Sequence, residues 1–294
     1  MTLLNLGRPV TGQRTVSTRP AEGPDRSRLK GNSMAPTVAL ITGAGRGMGQ
    51  LAARRLAAAG ASVAALDVNE AGLAETAAGI DSIRPFDCDI TDGDAVEHTV
   101  QQVERDLGPV DRVMNAAGIA RVGLLLDMDV AETLRVMEIN YGGTVNVATA
   151  TLPRMLERDR GELVNFASLA GWIPQAKMGA YCASKAAVVA YTEALWLENR
   201  GRGVRIACVC PTAVDTPMLP DFFAKEEKRD KAMAITPESV LDAIESGLAH
   251  DRFLILPKTS SKMLWRLRRH TPRMLRRVIT SDRFDLIDTP TSAG

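Results

Sequence analysis

Aromatic side chains are scarce in this chain: three Trp, three Tyr and six Phe make up only 4% of 294 residues. A protein that stacks nucleic-acid bases needs more of them, interleaved with a basic stripe on its folded body, so nucleic acid is not the expected partner. Histidine is rarer still. His98, His250 and His270 are widely separated and form no H-E-x-x-H or other ligand cluster, so no metal site is expected. Cys88, Cys182, Cys208 and Cys210 include no C-x-x-C pair and read as reduced packing residues rather than a zinc ribbon or redox motif. No apolar run reaches the ~18 residues of a membrane span, and the first residues lack the apolar core of a secretory signal. The cytoplasm is the expected compartment.

Apolar residues make up 45% of the chain and charged residues 24%, enough to bury one large core. The net charge of +1 is unevenly spread: residues 1–34 carry +4, residues 258–281 carry +8 and the last residues −2, leaving −9 on residues 35–257. The first 34 residues mix Gly, Pro, Ser, Thr and Arg without apolar periodicity and read as a flexible extension, with Met34 an alternative start. From residue 37 the pattern changes. Short apolar runs near 37–42, 61–66, 82–87, 110–115, 161–167, 204–210 and 252–256 predict strands. Helical stretches near 47–59, 92–107, 130–156, 178–200 and 237–249 alternate with them. Such alternation demands crossovers, and hence a doubly wound parallel sheet with helices on both faces, a Rossmann-like α/β fold. No repeat or composition break divides residues 35–257, which read as one catalytic domain, followed by a basic amphipathic extension over 258–294.

The first chemical signal lies where the first strand meets the first helix, in Thr42-Gly43-Ala44-Gly45-Arg46-Gly47-Met48-Gly49. Glycines permit a tight turn close to a pyrophosphate, and the helix N-terminus supplies N–H groups and partial positive charge. The spacing is not G-x-G-x-x-G, and such a turn could simply cap a helix. Asp67, at the end of the second strand, strengthens the cofactor reading. A carboxylate there binds adenosine ribose hydroxyls and repels a 2′-phosphate, which favours NAD, whereas Arg46 beside the turn could assist NADP.

A second signal is Tyr181-Cys182-Ala183-Ser184-Lys185 at the start of a long helix. Residues i and i+4 share one face, so the ammonium can sit near the phenol and favour phenolate, making Tyr181 able to exchange a proton with an alcohol or carbonyl oxygen. On its own, Y-x-x-x-K is common and is usually a half-buried Tyr beside a surface Lys.

Together with Asn115-Ala116-Ala117-Gly118, Asn140 and Ser168, these motifs occur in an order that closely resembles the short-chain dehydrogenase/reductase family over residues 36–257. The resemblance implies a catalytic tetrad of Asn140, Ser168, Tyr181 and Lys185. It also implies cofactor contacts from Gly43, Gly45, Arg46, Gly47, Met48, Gly49, Asp67, Asn115, Ala116, Gly118, Tyr181 and Lys185. Asp89 is expected at the adenine, with Ile90 either beside it or in the core. The expected reaction is reversible hydride transfer between NAD and a secondary alcohol or ketone. Tyr181 handles the proton, Ser168 holds the reacting oxygen, and Lys185 binds the nicotinamide ribose and lowers the Tyr181 pKa. Asn140 either holds a water that links the lysine to solvent or stabilises a helix bend. Pro211-Thr212 departs from the family's Pro-Gly, while Thr216 fits the position that reaches the nicotinamide carboxamide or, alternatively, caps a helix.

Trp172, Ile173, Pro174, Met218, Leu219, Pro220, Phe222 and Phe223 suggest an apolar substrate pocket or, equally, core and subunit packing. The basic, apolar stretch Ser261–Ile279, broken by Pro272, suits either a membrane-surface helix or one packed on the acidic body or a neighbouring subunit. A homodimer or homotetramer is implied by the resemblance. The rival readings are an NADP-dependent 3-oxoacyl carrier reductase and a dinucleotide-binding scaffold or redox sensor without turnover.

Overall fold

The computed structural model describes residues 36–218 and 234–273. The expected extension 1–34, the pocket residues Leu219, Pro220, Phe222 and Phe223, and the tail beyond 273 lie outside the described residues.

Strand β1 (Val38–Thr42) is buried throughout and sits mid-sheet, with Ala39 and Ile41 facing one core layer and Val38 and Leu40 the other. Alternate side chains point to opposite faces, so a strand apolar at every position must be covered on both sides. The sheet is completed by β2 (Ser62–Asp67), β3 (Ile83–Asp87), β4 (Arg112–Asn115), β5 (Gly161–Phe166), β6 (Val204–Val209) and β7 (Leu254–Ile255), all parallel in the order β3-β2-β1-β4-β5-β6-β7. The chain reverses its direction of winding between β1 and β4. A crevice opens at the carboxyl ends of strands at such a switch point, and it is where ligands of this architecture sit.

Helix α1 (Gly47–Ala58) buries Ala52, Ala53, Leu56 and Ala57 against the first layer. Helices α3 (Gly93–Leu107) and α5 (Gly143–Glu157) pack on the opposite layer, following α2 (Glu70–Ala77) and α4 (Val130–Met137) in the chain. Helix α6 (Gly179–Glu198) carries the Tyr-Lys motif, α7 (Pro237–Ala249) returns to the first layer, and α8 (Thr259–His270) ends the described part. None of these helices is long and apolar enough to cross a membrane.

At the opposite, amino-terminal side of the sheet lies a buried ion network. Arg112 on β4 donates Nε and Nη2 to one Glu162 oxygen at 2.7 and 2.6 Å and reaches Glu245 of α7 at 2.6 Å. Arg205 adds a 3.1 Å contact to Glu162, and Arg112 and Glu162 are each 1% exposed.

Two features depart from the sequence-based expectations. Helix α2 was absent from them because Glu70–Ala77 is short and its amphipathic pattern is faint; Asn69 starts it by accepting from the Gly72 N–H at 3.1 Å. The single helix expected over 130–156 is interrupted by a π-helical turn at Glu138–Gly142, which inserts an extra residue and turns Asn140 inward. As Pro272 led the sequence reading to expect, the tail helix is interrupted there: it runs from Thr259 and stops at His270.

Candidate active site

The predicted site residues converge on the carboxyl ends of β1, β2, β4, β5 and β6, where the switch point lies. Thr42 ends β1, and its hydroxyl oxygen accepts from the Ala117 N–H at 3.1 Å, tying the glycine turn to the Asn115–Gly118 segment. The fit is steric as well. Gly43 has φ +67, and a Cβ there would fall 2.7 Å from the Ala117 Cα; one on Gly49 would fall 2.2 Å from the Gly43 carbonyl oxygen. Only glycine tolerates these approaches. Gly47, also left-handed at φ +60, faces Thr216 and Pro217 across the opening of the turn, each 3.8 Å from where a Gly47 Cβ would lie. Arg46 is the exposed N-cap of α1, no side chain caps the helix, no acid occupies its first turn, and Met48 is partly buried on the core. Uncapped N–H groups with local positive potential suit a pyrophosphate.

Asp67 is aimed at this turn. One carboxylate oxygen accepts from Gly45 N–H at 2.9 Å and the other from Asn69 N–H at 3.0 Å. Each oxygen retains acceptor capacity for a ribose hydroxyl. The next residue, Val68, is 64% exposed, so an apolar surface follows the carboxylate.

The side chains expected to be catalytic gather on α6 and the turn after β5. Ser168 caps a 3-10 turn, Leu169–Gly171, by accepting from Ala170 N–H at 3.1 Å, and it is hydrogen-bonded to the Tyr181 phenol. Lys185 is buried, donates to the Phe166 carbonyl at 2.8 Å, and places Nζ 5.7 Å from the Tyr181 ring centre. The sequence reading expected the ammonium to lower the phenol, and burial acts on both groups in the opposite sense. Burial drives the Tyr181 pKa up to about 12, against the lowering influence of the Ser168 hydrogen bond. Burial also brings Lys185 down to about 8. Low polarity disfavours both charged forms, and the cation 5.7 Å from the ring centre does not reverse it.

Asn140 is wholly buried. Its Oδ1 accepts from Ile119 N–H at 2.8 Å, and its Nδ2 donates to the Ile119 carbonyl and to Ser184 Oγ, both at 2.9 Å. Its own carbonyl accepts from Thr144 at 2.7 Å. The side chain thus clamps the segment after β4 to α6 from within the π turn, an arrangement that matches the helix-bend alternative. Gly118 closes this corner: a Cβ would lie 3.0 Å from Asn140 Oδ1 and 3.5 Å from Lys185 Nζ.

Other expected cofactor residues divide between the cleft and the interior. Asp89 is exposed, with its pKa lowered chiefly by the Thr91 N–H and supported by the Thr91 hydroxyl. Ile90 is 8% exposed and wedges into the space above Gly143, so its side chain is core. Asn115 also turns inward, donating to Asn165 at 2.9 Å, while Asn165 donates to Thr192 at 3.0 Å. Ala116 packs on the first core layer. The Pro211 carbonyl accepts from Leu169 N–H at 2.9 Å, which ties the end of β6 to the serine turn, and Thr216 stands beside Gly47. Of the proposed pocket wall, Ile173 is core and Trp172 packs on Trp265 of α8 with ring centres 6.0 Å apart. All four cysteines are free and buried, and no group of three or more potential metal ligands occurs among the described residues.

The sequence reading passed over one wall. The segment Arg121–Met128 lies against the start of α6: Gly123 N–H donates to the Lys177 carbonyl at 2.8 Å, and the Leu125 side chain sits where a Gly179 Cβ would be, 2.4 Å from it. Val122, Leu124, Leu125 and Leu126 are nonetheless 42–99% exposed. Val-Gly-Leu-Leu-Leu outside any helix or strand was the available signal, since such a run has no core to enter.

A family model described as short chain dehydrogenase matches residues 37–227. The chain belongs to the short-chain dehydrogenase family. A relative from Mycobacterium tuberculosis, named probable oxidoreductase EphD, is 33% identical over 260 residues, covering 82% of this chain but only 44% of its own length. The 2,3-dihydro-2,3-dihydroxybenzoate dehydrogenase of Bacillus subtilis is 32% identical over 215 residues, 72% of this chain and 81% of that one. A solved short-chain dehydrogenase/reductase from Burkholderia phymatum, in complex with NAD, superimposes with a TM-score of 0.72 at 28% identity over 81% of this chain and 94% of that one. The matched residues 37–227 include the glycine turn, Asp67, Asn140, Ser168, Tyr181 and Lys185, and the chain spans under half the length of the EphD relative.

Proposed function

We propose that this chain transfers hydride reversibly between NAD and an apolar secondary alcohol or ketone. The observation that carries the reading is Ser168 hydrogen-bonded to Tyr181, with Lys185 one helical turn along, beside the glycine turn and Asp67 at the switch point. When bound, the nicotinamide supplies the hydride acceptor or donor. The glycine turn and the α1 N-terminus hold the pyrophosphate, and Asp67 takes the adenosine ribose. No basic residue follows Asp67 before α2 to pair with a 2′-phosphate, which supports NAD, and Arg46 is the one nearby cation on the turn.

Tyr181 delivers its phenolic proton to the carbonyl oxygen during reduction and, as phenolate, accepts the alcohol proton during oxidation. The Ser168 hydroxyl orients the same oxygen. Lys185 holds the nicotinamide ribose and leans on the Phe166 carbonyl, while Asn140 keeps the Ile119 segment in place. The exposed Leu124–Leu126 run beside the start of α6 supports an apolar substrate.

A panel with 2-octanol and cyclohexanol on one side and glycerol and 2,3-butanediol on the other, each with NAD and NADP, tests the proposal. Preference for NAD and for the first pair is expected. Preference for NADP would shift the reading toward a 3-oxoacyl carrier reductase, and coenzyme binding without any turnover toward a scaffold.

A further inference from the structure

The proposed reaction needs Ser168 held against Tyr181, yet Ser168 lies on a turn of only three 3-10 residues. That turn is gripped from two sides. On one side Gly171 lies so close to α6 that a Cβ would come within 2.8 Å of the Lys185 backbone carbonyl. On the other side stands α8. Trp172, which ends the turn, meets the Trp265 ring edge to face, with centres 6.0 Å apart and an interplanar angle of 88°. Arg268 Nε donates to the Trp172 carbonyl at 3.3 Å, and the Arg269 guanidinium lies over the Trp265 ring, 5.6 Å from its centre. Leu264, Trp265 and Leu267 pack with Trp172 on a separate core cluster built from Leu169, Ile173, Val188 and Cys208 among others.

These contacts belong to the helix that the sequence offered either as a membrane-surface element or as one packed on the body or a neighbouring subunit. Its apolar residues Leu264, Trp265 and Leu267 pack on the body, and Trp265 and Arg268 reach Trp172, four residues after Ser168. We propose that Trp265 and Arg268 are positioning residues, which act through Trp172 to hold the Ser168 turn in register with Tyr181. This rests on the roles given above to Ser168 and Tyr181. Neither Trp265 nor Arg268 meets a reacting atom; they act by restricting where the serine hydroxyl can be. Small displacements matter, because an error of about 1 Å at a reacting group costs up to about a hundredfold in rate.

The test compares wild type with Trp265→Ala, Trp265→Phe and Arg268→Gln in the full chain. Hydrogen exchange over residues 166–173 reads the turn directly, through amides such as Gly171 and Trp172 that bond within it. NADH fluorescence titration reads coenzyme binding, and turnover of 2-octanol with NAD against pH reads the chemistry. In Trp265→Ala, exchange over 166–173 accelerates, kcat falls about 10- to 100-fold, and NADH affinity stays within about twofold. The kinetic pKa of Tyr181 moves up, since the Ser168 hydrogen bond that lowers it is weakened. Trp265→Phe keeps an aromatic face for Trp172 and restores most of kcat, and Arg268→Gln gives a partial version of the same defect should Trp265→Ala fail to fold. Unchanged exchange over 166–173 in Trp265→Ala, or accelerated exchange with wild-type kcat and pH profile, overturns the proposal. If wild type itself turns over no alcohol, the functional reading fails instead, and the exchange experiment still decides whether α8 restrains the turn.

Discussion

Burying Lys185 carries a cost that pH titrates away. The residue is 5% exposed, its ammonium donates to the Phe166 carbonyl at 2.8 Å, and burial brings its pKa from 10.5 to about 8. Between those two values the unfolded chain holds a proton that the folded chain has released. Unfolding free energy therefore rises with pH through that window, and no gain exists below it because both states are protonated. One group titrating near 8 when folded and 10.5 when unfolded contributes about 2 kcal/mol between roughly pH 7 and 9.5. Lys185→Met keeps the aliphatic stem and removes the titration. Urea unfolding of both proteins across this range gives the difference directly, since the other ionisable groups are common to both and Tyr181, held near 12 when folded, titrates above the window. Wild type should gain about 2 kcal/mol on the variant as pH rises. Parallel stability curves would show that the lysine is solvated, and the account of its environment would be wrong.

Other consequences are equally direct. Tyr181→Phe should reduce alcohol turnover by at least about a thousandfold while NADH still binds in a fluorescence titration; substantial residual turnover would remove the acid/base assignment. Because burial holds the phenol up to about 12, alcohol oxidation should climb steeply with alkaline pH whereas ketone reduction should not, as paired initial-rate profiles would show. Glu162→Gln removes the buried carboxylate shared by Arg112 and Arg205, leaving Arg112 its Glu245 contact, and should cost up to about 3–5 kcal/mol in chemical denaturation; a loss below about 1 kcal/mol would mean the network is hydrated. Gly49→Ala forces a Cβ against the Gly43 carbonyl at 2.2 Å, so the turn must shift. The expected signature is weakened NADH binding, measured by fluorescence, with a stability loss of about 1–3 kcal/mol.

Those predictions rest on residues of unequal legibility. The parallel sheet was readable chiefly from β1, which is buried at every position and leaves the run Val38–Ile41 in the sequence, whereas β4 and β5 are equally buried but interrupt their apolar residues with Arg112, Asn115, Glu162 and Asn165, which pair with one another inside. The glycine turn was readable because left-handed and closely approached backbone admits almost nothing else. Helix α2 was not, since it is held largely by a cap and by Thr76, whose hydroxyl donates to the Ala44 carbonyl at 2.8 Å across 32 residues. Hydrophobic periodicity carries no record of such a contact. The π turn was hidden for the same reason: an inserted residue inside a helix changes register without changing composition.

At the site, spacing located groups without fixing the balance of forces on them. Tyr181 and Lys185 stand one turn apart as i and i+4 require, and a cation near a phenol, taken alone, favours the phenolate. Burial, however, depends on what α6 packs against, namely Gly171, the end of β5 and the Asn140 clamp, all remote in sequence. Those neighbours remove water from both groups at once, which pushes the tyrosine up and the lysine down. The outcome is a phenol that keeps its proton at neutral pH and is ready to donate it. Of the protein's own neighbours, it is the Ser168 hydrogen bond that pulls toward the phenolate, which makes the placement of the serine turn, and so of Trp172 and α8 behind it, decisive for the oxidative direction.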